Sequence, residues 1–309
     1  MTEPSRVHLV GVGLNATDTL LFLPEFPRCG AKVNLRSVSV SPGGQVATAV
    51  IACQRWGLRT RYIGKLGDDH AAEVHREEFE RAGTETCLGT VGNCSSAHSI
   101  ILVDEQGERT VLWGRDPRLA LRPDELNRES IVHAGALLVD GCDTEAAITA
   151  AKWARDAGVP TIADLDHAYP GIEELLANID YLIVSRDFPE QIVHQSDLRQ
   201  SLPLLSSRFQ GTLVAATLGT GGVVAWDGTD FHHARAYQVP VVDTTGAGDI
   251  FHAGFIYSLL LGWPLPRQLD FACAAAALNC TRAGARGRIA PIAEIEELMA
   301  TGERHPQRY

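Results

Sequence analysis

From Ala134 onward the chain settles into a rhythm of short apolar runs and helix-length segments, and that rhythm restricts the fold more than any other feature. Ala136 to Asp140 reads as a strand, Asp143 to Ala157 as a helix stopped by Gly158, and Thr161 to Asp164 as a second strand. A short helix and a strand from Tyr181 to Val184 follow. Strands that alternate with helices need right-handed crossovers, so the pattern predicts a parallel sheet covered on both faces. Later segments extend it, with strands at Thr212 to Leu218 and Val223 to Trp226 and helices at about Gly246 to Leu261 and Arg267 to Cys280. With 309 residues, 45% of them hydrophobic, the chain can fill such a core without covalent staples.

The first third departs from this rhythm. Val7 to Val12 is strand-like, as are Thr19 to Leu23 and Val33 to Val40, with Pro24 and Pro27 between the last two. From Gly44 the pattern turns into an Ala- and Val-rich helix reaching Trp56, with Gly57 as its stop. A strand at Arg61 to Lys65 and a helix between Asp68 and Gly83 come next. Ser99 to Val103 and Thr110 to Trp113, separated by Glu105-Gln106-Gly107-Glu108, read as a hairpin. The β pieces that do not fit the crossover rhythm are assigned to a small sheet projecting from the main one. The expectation is one domain over 1–309, α/β, with a doubly wound, mainly parallel sheet flanked by helices and a discontinuous β lid from about 14–40 and 97–115.

Lys and Arg number 27 against 38 Asp and Glu, a formal charge of −11 with no basic run, which argues against nucleic acid or an anionic membrane as the main partner. The longest apolar stretch, Ile250 to Leu261, is interrupted by His252, Gly254, Tyr257 and Ser258 and falls short of the roughly 18 residues a membrane helix needs. The N-terminus shows no signal-like apolar core, so the chain reads as cytoplasmic. Cys29, Cys53, Cys87, Cys94, Cys142, Cys273 and Cys280 form no C-x-x-C pair and read as reduced thiols.

Two glycine-rich segments compete for a phosphate. Gly11-Val12-Gly13-Leu14-Asn15-Ala16 satisfies G-x-G-x-x-A after a strand, but the apolar run that follows is broken by Pro24 and Pro27 and is too short for a dinucleotide-binding crossover helix. Asp243-Thr244-Thr245-Gly246-Ala247-Gly248-Asp249 stands instead directly ahead of a long apolar helix. There Gly246, Ala247 and Gly248 let the free N–H groups of the first turn face an anion, and Asp249 could accept a proton from an attacking hydroxyl. The plain alternative is a glycine-rich turn with Asp249 favouring the helix dipole. No G-x-x-x-x-G-K-[ST] loop and no protein-kinase catalytic loop occur.

D-T-T-G-A-G-D at Asp243 to Asp249 resembles the second signature of the PfkB-type, ribokinase-like carbohydrate kinases. Pro42 to Thr48, continuing through Gly67-Asp68-Asp69, resembles the first. The resemblance runs from the first strand to Gly284, and Val184 to Asp187 and Asn279 to Arg282 are most similar to the ketohexokinase and sulfofructose-kinase branch. It implies transfer of the γ-phosphoryl group of ATP to a primary hydroxyl of a small sugar, with Mg²⁺ as cofactor and a place for a monovalent cation, K⁺, near Arg282, Arg286 and Arg288. Asp249 would be the general base, with Gly246, Ala247 and Gly248 as the anion hole. Asp18, Gly43, Gly44, Gln45 and Thr48 would hold the sugar. Ser185, Thr217, Gly219, Gly222 and Asn279 would line the nucleotide, and lids paired between two chains would make a homodimer. A nucleoside kinase, with Trp113 as base platform, and a sugar-sensing protein without catalysis remain as alternatives.

Some positions depart from the family pattern. Gln45 and Thr48 stand where Asn is frequent, and Ser185-Arg186-Asp187-Phe188 replaces N-x-x-E, leaving Asp187 or Glu190 as substitutes near the metal. Trp113 and Cys142 occupy the places where sulfofructose kinases hold a sulfonate. Asp164-Leu165-Asp166 is either a functional pair or a solvated turn. Lys32, Arg109, Arg115 and Arg118 on the lid could hold an anionic substrate group or form a charged sheet edge.

Overall fold

The computed structural model describes residues 6–105 and 109–307. Strand β1 (Leu9–Val12) opens the main sheet, and the chain leaves it at once for β2 (Ala16–Phe22) and β3 (Ser37–Gly43). It returns through α1 (Gln45–Arg55), β4 (Thr60–Leu66), α2 (His70–Ala82) and β5 (Glu85–Thr90), then makes a second excursion as β6 (His98–Val103) and β7 (Arg109–Gly114). After α3 (Glu129–Val132) the crossover rhythm takes over: β8 (Ala136–Asp140), α4 (Thr144–Asp156), β9 (Thr161–Leu165), α5 (Ile172–Leu176) and β10 (Tyr181–Ser185). Two helices, α6 (Phe188–Val193) and α7 (Leu198–Phe209), precede β11 (Leu213–Thr217), β12 (Val223–Trp226) and β13 (Phe231–Ala234). Helices α8 (Ala247–Leu260), α9 (Leu265–Asn279) and α10 (Ile292–Thr301) follow.

The main sheet runs β13-β12-β11-β10-β9-β8-β1-β4-β5 and is parallel except for β12, which is antiparallel to both β11 and β13. β8 and β9 are buried along their whole length, as strands of a sheet covered on both faces must be. One core lies under α1, α8 and α9, the other under α4, α5 and α7. The fold is therefore the expected doubly wound α/β sheet. Local signals set several ends: Asp69 caps α2 by accepting from Ala72 N at 3.1 Å, and the left-handed Gly83 closes it. No helix among the described residues is long and apolar enough to cross a membrane.

The two excursions form a four-stranded sheet, β3-β2-β6-β7. Register divides its faces. Opposed residues Val40, Thr19 and Ile100, with Leu112 across from Ile100, point one way, as do Val38, Leu21 and Leu102. Ser41, Asp18, Ser99 and Trp113 form a row on the opposite face.

The structure corrects some boundaries. Val33 to Arg36 are not strand, because β2 ends at Phe22, whose carbonyl takes Arg36 N at 2.9 Å, and nothing lies opposite the residues before it. Pairing instead continues to Gly43, past the expected lid limit, so the lid hands the Gly43-Gly44 turn directly to α1. Of the expected hairpin turn, Gln106 to Glu108 lie outside the described residues. The Gly11-to-Ala16 segment leads into a strand and not a helix, which removes the dinucleotide reading.

Candidate active site

Parallel sheets bind ligands at the carboxyl ends of their strands; here Gly13 follows β1, Asp140 ends β8, and Asp164 is the penultimate residue of β9. The loop after β1 is held from below. Tyr62 OH donates to Gly13 O at 2.6 Å, and Asn15 Nδ2 donates to Tyr62 OH at 2.6 Å and to Lys65 O at 3.1 Å. That loop delivers Asp18 into the cleft, where the Ser99 hydroxyl donates to its carboxylate. Gly43, two residues along β3 from Ser41, the register partner of Asp18, comes so near that a Cβ there would stand 2.0 Å from Asp18 Oδ2. Only glycine lets the lid strand and the carboxylate approach this closely.

Across the cleft, α8 begins with Gly246 in a left-handed conformation, φ 76°. A Cβ at Gly246 would stand 2.1 Å from Ala285 O, whereas a Cβ at Gly248 would meet nothing within 4 Å. The first glycine is thus demanded by the fold, and the second faces open space. Asp243 fixes the turn: its Oδ1 accepts from Thr245 N and Oγ1 at 2.9 and 2.8 Å, and its Oδ2 from Gly284 N at 2.8 Å. Ala247 N is already taken by Thr244 O at 3.2 Å, so of the expected anion hole the N–H groups of Gly246 and Gly248, with the dipole of the 14-residue helix, are what the turn offers the cleft.

Asp249, in the first turn of α8, is only partly exposed. Burial and the nearby Asp164 carboxylate push its pKa up to about 7, against a smaller pull from His252. Asp140 is likewise raised to about 7 by burial, although Leu14 N and Cys142 N donate to it at 2.7 and 3.0 Å. Burial also raises Asp18 and Asp164. Four carboxyl groups thus line one cleft in which none ionises as readily as in water.

The remaining residues singled out in the sequence divide into those at the cleft and those packed behind it. Gly44 is the N-cap of α1, and Gln45 Nε2 donates to Asp164 Oδ1 at 3.4 Å. Thr48 is fully buried, and its hydroxyl accepts from Arg286 Nε at 3.1 Å. Ser185 Oγ donates to Asp166 O at 3.3 Å, Thr217 Oγ1 donates to Val184 O at 3.3 Å, and Gly219 is exposed. Gly222 is buried beneath β13. Asn279 is buried too: Nδ2 donates to Thr245 O and Ala285 O, and Oδ1 accepts from Arg288 N. Its side chain braces the turn ahead of α8 from inside.

Among the lid cations, Arg115 is paired with Asp143 and Arg118 with Asp116. Arg109 alone of these approaches the turn, with Nη1 at 3.5 Å from Thr244 Oγ1. Asp164, left open between two readings, belongs to the cleft, while Asp166 is exposed. Asp187 and Glu190 are exposed, and among the described residues no group of three His, Cys, Asp or Glu could hold a metal.

Sequence reasoning missed the roles of Asp140, His252 and Arg286. The Arg286 side chain is 4% exposed, pairs with Glu78 of α2, and donates to Gly43 O at 2.9 Å as well as to Thr48. The cue available was a set of three arginines, Arg282, Arg286 and Arg288, interspersed with Gly284 and Gly287, which does not distinguish a cross-link from a surface charge.

Comparison with known proteins bears directly on this arrangement. The profile of the pfkB family carbohydrate kinases matches residues 9–292. The chain is 28% identical to an ATP-dependent ribose-1-phosphate kinase of Halopiger xanaduensis, covering 93% of this chain and 96% of the relative. It is 30% identical to an acarbose 7(IV)-phosphotransferase of an Actinoplanes species, covering 94% and 98%. In fold it is similar to the crystal structure of ribokinase from Thermotoga maritima, with a TM-score of 0.82 at 23% identity over 96% of this chain and 100% of that one. The chain belongs to the pfkB family of carbohydrate kinases, phosphotransferases with an alcohol group as acceptor.

Proposed function

We propose that this protein transfers the γ-phosphoryl group of ATP to a primary hydroxyl of a small sugar or sugar derivative, with Asp249 as general base. The observation that carries this is the juxtaposition at the start of α8. A carboxyl group with its pKa raised to about 7 stands beside an open glycine turn and a helix N-terminus, across from a lid carboxylate.

The transition state of phosphoryl transfer is loose, so alignment and charge stabilisation dominate. Asp18 and the Gly43-Gly44 turn, with Gln45, hold the sugar hydroxyls and aim one of them at the cleft. At the Gly246-Ala247-Gly248 turn the backbone N–H groups of Gly246 and Gly248 stabilise charge on the transferred group, while Ala247 N, bonded to Thr244 O, holds the turn in shape. As the hydroxyl oxygen bonds to phosphorus and the bond to the ADP oxygen breaks, the hydroxyl proton passes to an Asp249 carboxylate oxygen. Thr217 and Gly219 at the end of β11 border the nucleotide, Ser185 lies beside them, and Gly222 and Asn279 support that wall from behind. The exposed Gly219 and the open Gly248 fit a triphosphate running between them. Magnesium, when bound, neutralises triphosphate charge. Asp187 and Glu190 are the exposed carboxylates at the end of β10 able to face it. K⁺ would be held by carbonyls of the loop that Asp243 orders.

The relatives act on ribose 1-phosphate and acarbose by name, which supports a sugar acceptor over a nucleoside. The likeness to the ketohexokinase and sulfofructose-kinase branch rests on Val184 to Asp187 and Asn279 to Arg282. A cytoplasmic setting and a homodimer joined through the lids complete the reading. The outer lid face, with Val38, Val40, Ile100 and Leu112 exposed, supports the latter.

The test is ATP consumption across ketoses, aldoses, sugar phosphates, sugar acids and nucleosides. Turnover confined to sugars or their derivatives is expected. Activity on nucleosides alone, or sugar binding without turnover in any class, would overturn the reading.

A further inference from the structure

His252 has no part in the chemistry above, yet it stands one helical turn beyond the proposed base and is 2% exposed. Its ring is enclosed by hydrogen-bond acceptors. Nδ1 lies 2.8 Å from Gly248 O and 3.3 Å from Asp164 Oδ2, and Nε2 lies 3.2 Å from Ile183 O. A carbonyl oxygen only accepts, so each ring nitrogen that keeps its contact does so through a hydrogen. The partners belong to three elements: the first turn of α8, the end of β9, and β10. Asp164 in turn takes Gln45 Nε2 at 3.4 Å, from the first residue of α1. One chain of side chains therefore joins the beginning of α1, on the sugar side, to the beginning of α8, on the phosphoryl side.

Elsewhere along α8 the anchor is weaker: Cys53 Sγ of α1 donates to Ala253 O at 3.5 Å. The helix is apolar around its circumference, and Ser258 donates within it, to Gly254 O and Phe255 O. Apolar packing against α1 and α9 resists separation but sets axial position and rotation only loosely, whereas directional bonds to strand ends set both.

We propose that His252 is a positioning residue for phosphoryl transfer, tying the first turn of α8, with Gly246 to Gly248 and Asp249, to β9 and β10 through its two ring nitrogens. This rests on Asp249 being the base. The groups facing the ring are Asp249 and the Gly248 carbonyl on its own helix, Asp164 and the Ala163 carbonyl from β9, and the Ile183 carbonyl from β10. Beyond them, Asp140 and Asp166 act on Asp164, and Asp18 and Arg109 act on Asp249. Burial lowers the pKa of the ring, and the Gly248, Ile183 and Ala163 carbonyls together with Asp249 oppose that.

His252→Phe retains ring and bulk without a donor, and His252→Gln retains one N–H. Each is assayed as folded full-length enzyme, with the thermal midpoint recorded, for kcat, KM for the sugar and the pH profile of kcat/KM. The expected result for His252→Phe is a roughly tenfold to hundredfold fall in kcat with sugar KM changed less than about threefold. The acid limb should also move up by about half a pH unit or more, because the ring no longer favours the ionised Asp249. His252→Gln should recover part of kcat. A kcat loss that only follows the folded fraction, with the limb unmoved, overturns the inference. So does ¹⁵N NMR of histidine-labelled parent enzyme showing Nδ1 unprotonated at pH 7, a result independent of activity and of whether His252→Phe folds. Asp249→Asn separates the two readings. Parent-like turnover there defeats the base assignment, whereas an inactive Asp249→Asn beside a parent-like His252→Phe defeats only the role of His252.

Discussion

Asp249 is suited to proton abstraction because of where it sits. In water its carboxyl would be a weak base; burial and the neighbouring Asp164 bring its pKa to about 7, where a general base can hold a proton and still be ionised for much of the time. Asp249→Asn should therefore bind sugar and nucleotide normally while kcat drops at least about 10²-fold, as measured by isothermal titration alongside steady-state rates. The sign of the pH dependence follows from the raised pKa: the ionised base prevails above it, so kcat/KM of the parent should fall as pH drops through about 7. The glycines of the turn make a second comparison. Gly246→Ala forces a Cβ into the Ala285 carbonyl at a positive φ and should cost about 1–3 kcal/mol of stability. Gly248→Val points into open space and should leave the thermal midpoint nearly unchanged while turnover collapses. Equal midpoints in the two variants would contradict this division. Asp249 and its turn were legible because they are contiguous, seven residues whose spacing already implies a helix N-terminus. The partnership of His252, Asp164 and Gln45 was not, since its members are far apart in sequence and meet only where β9, α8 and α1 converge.

At the scale of elements, the lid was recognisable because its strands interrupt the crossover rhythm, and their pairing as β3-β2-β6-β7 explains why two distant excursions were needed. β5, α7 and α10 are weaker in the sequence. β5 is an edge strand with mostly exposed side chains, α7 has helical spacing at Leu198, Leu202 and Leu205 but carries Pro203 within it, and α10 buries only Ile295 fully. The lid has little core of its own, chiefly Leu20, Ile101 and Val103 with Phe22 against them. Leu23, just past β2, is 4% exposed, while Trp113 lies open at 61% on the edge strand β7. A sheet with so small a core should open on a slower timescale than the main body breathes. On the proposed reading sugar would bridge Asp18 on the lid and Asp249 on the main domain, and so would bind the closed form better and shift the population toward it. Hydrogen exchange in β2, β3, β6 and β7 should slow with a sugar that supports turnover and slow less with nucleotide alone. Exchange that is already slow and indifferent to that sugar would make the four strands a fixed structural sheet.

For the molecule as a whole, the unusual surface is the outer lid face. A parallel sheet hides both faces under helices, and the main sheet here does so. The lid covers only its inner face, where Asp18 and Ser99 meet the cleft. Outside, Val40 at 64%, Val38 at 54%, Leu112 at 55% and Ile100 at 38% exposure lie on adjacent strands with Leu21 and Leu102 between them. Apolar side chains clustered in this way on one flat face are a liability in water unless something covers them. A second copy of the same face is the partner that twofold symmetry supplies without further surface. Such an interface would also steady the lids against opening, linking association to catalysis through the population of the closed form. Sedimentation should therefore show a dimer at micromolar concentration. Val40→Lys, which sets a charge in the middle of the face and touches no cleft residue, should yield monomers with a raised sugar KM and faster lid exchange. A parent that sediments as a monomer, or a monomeric Val40→Lys with unchanged KM and lid exchange, would show that the face does not serve closure.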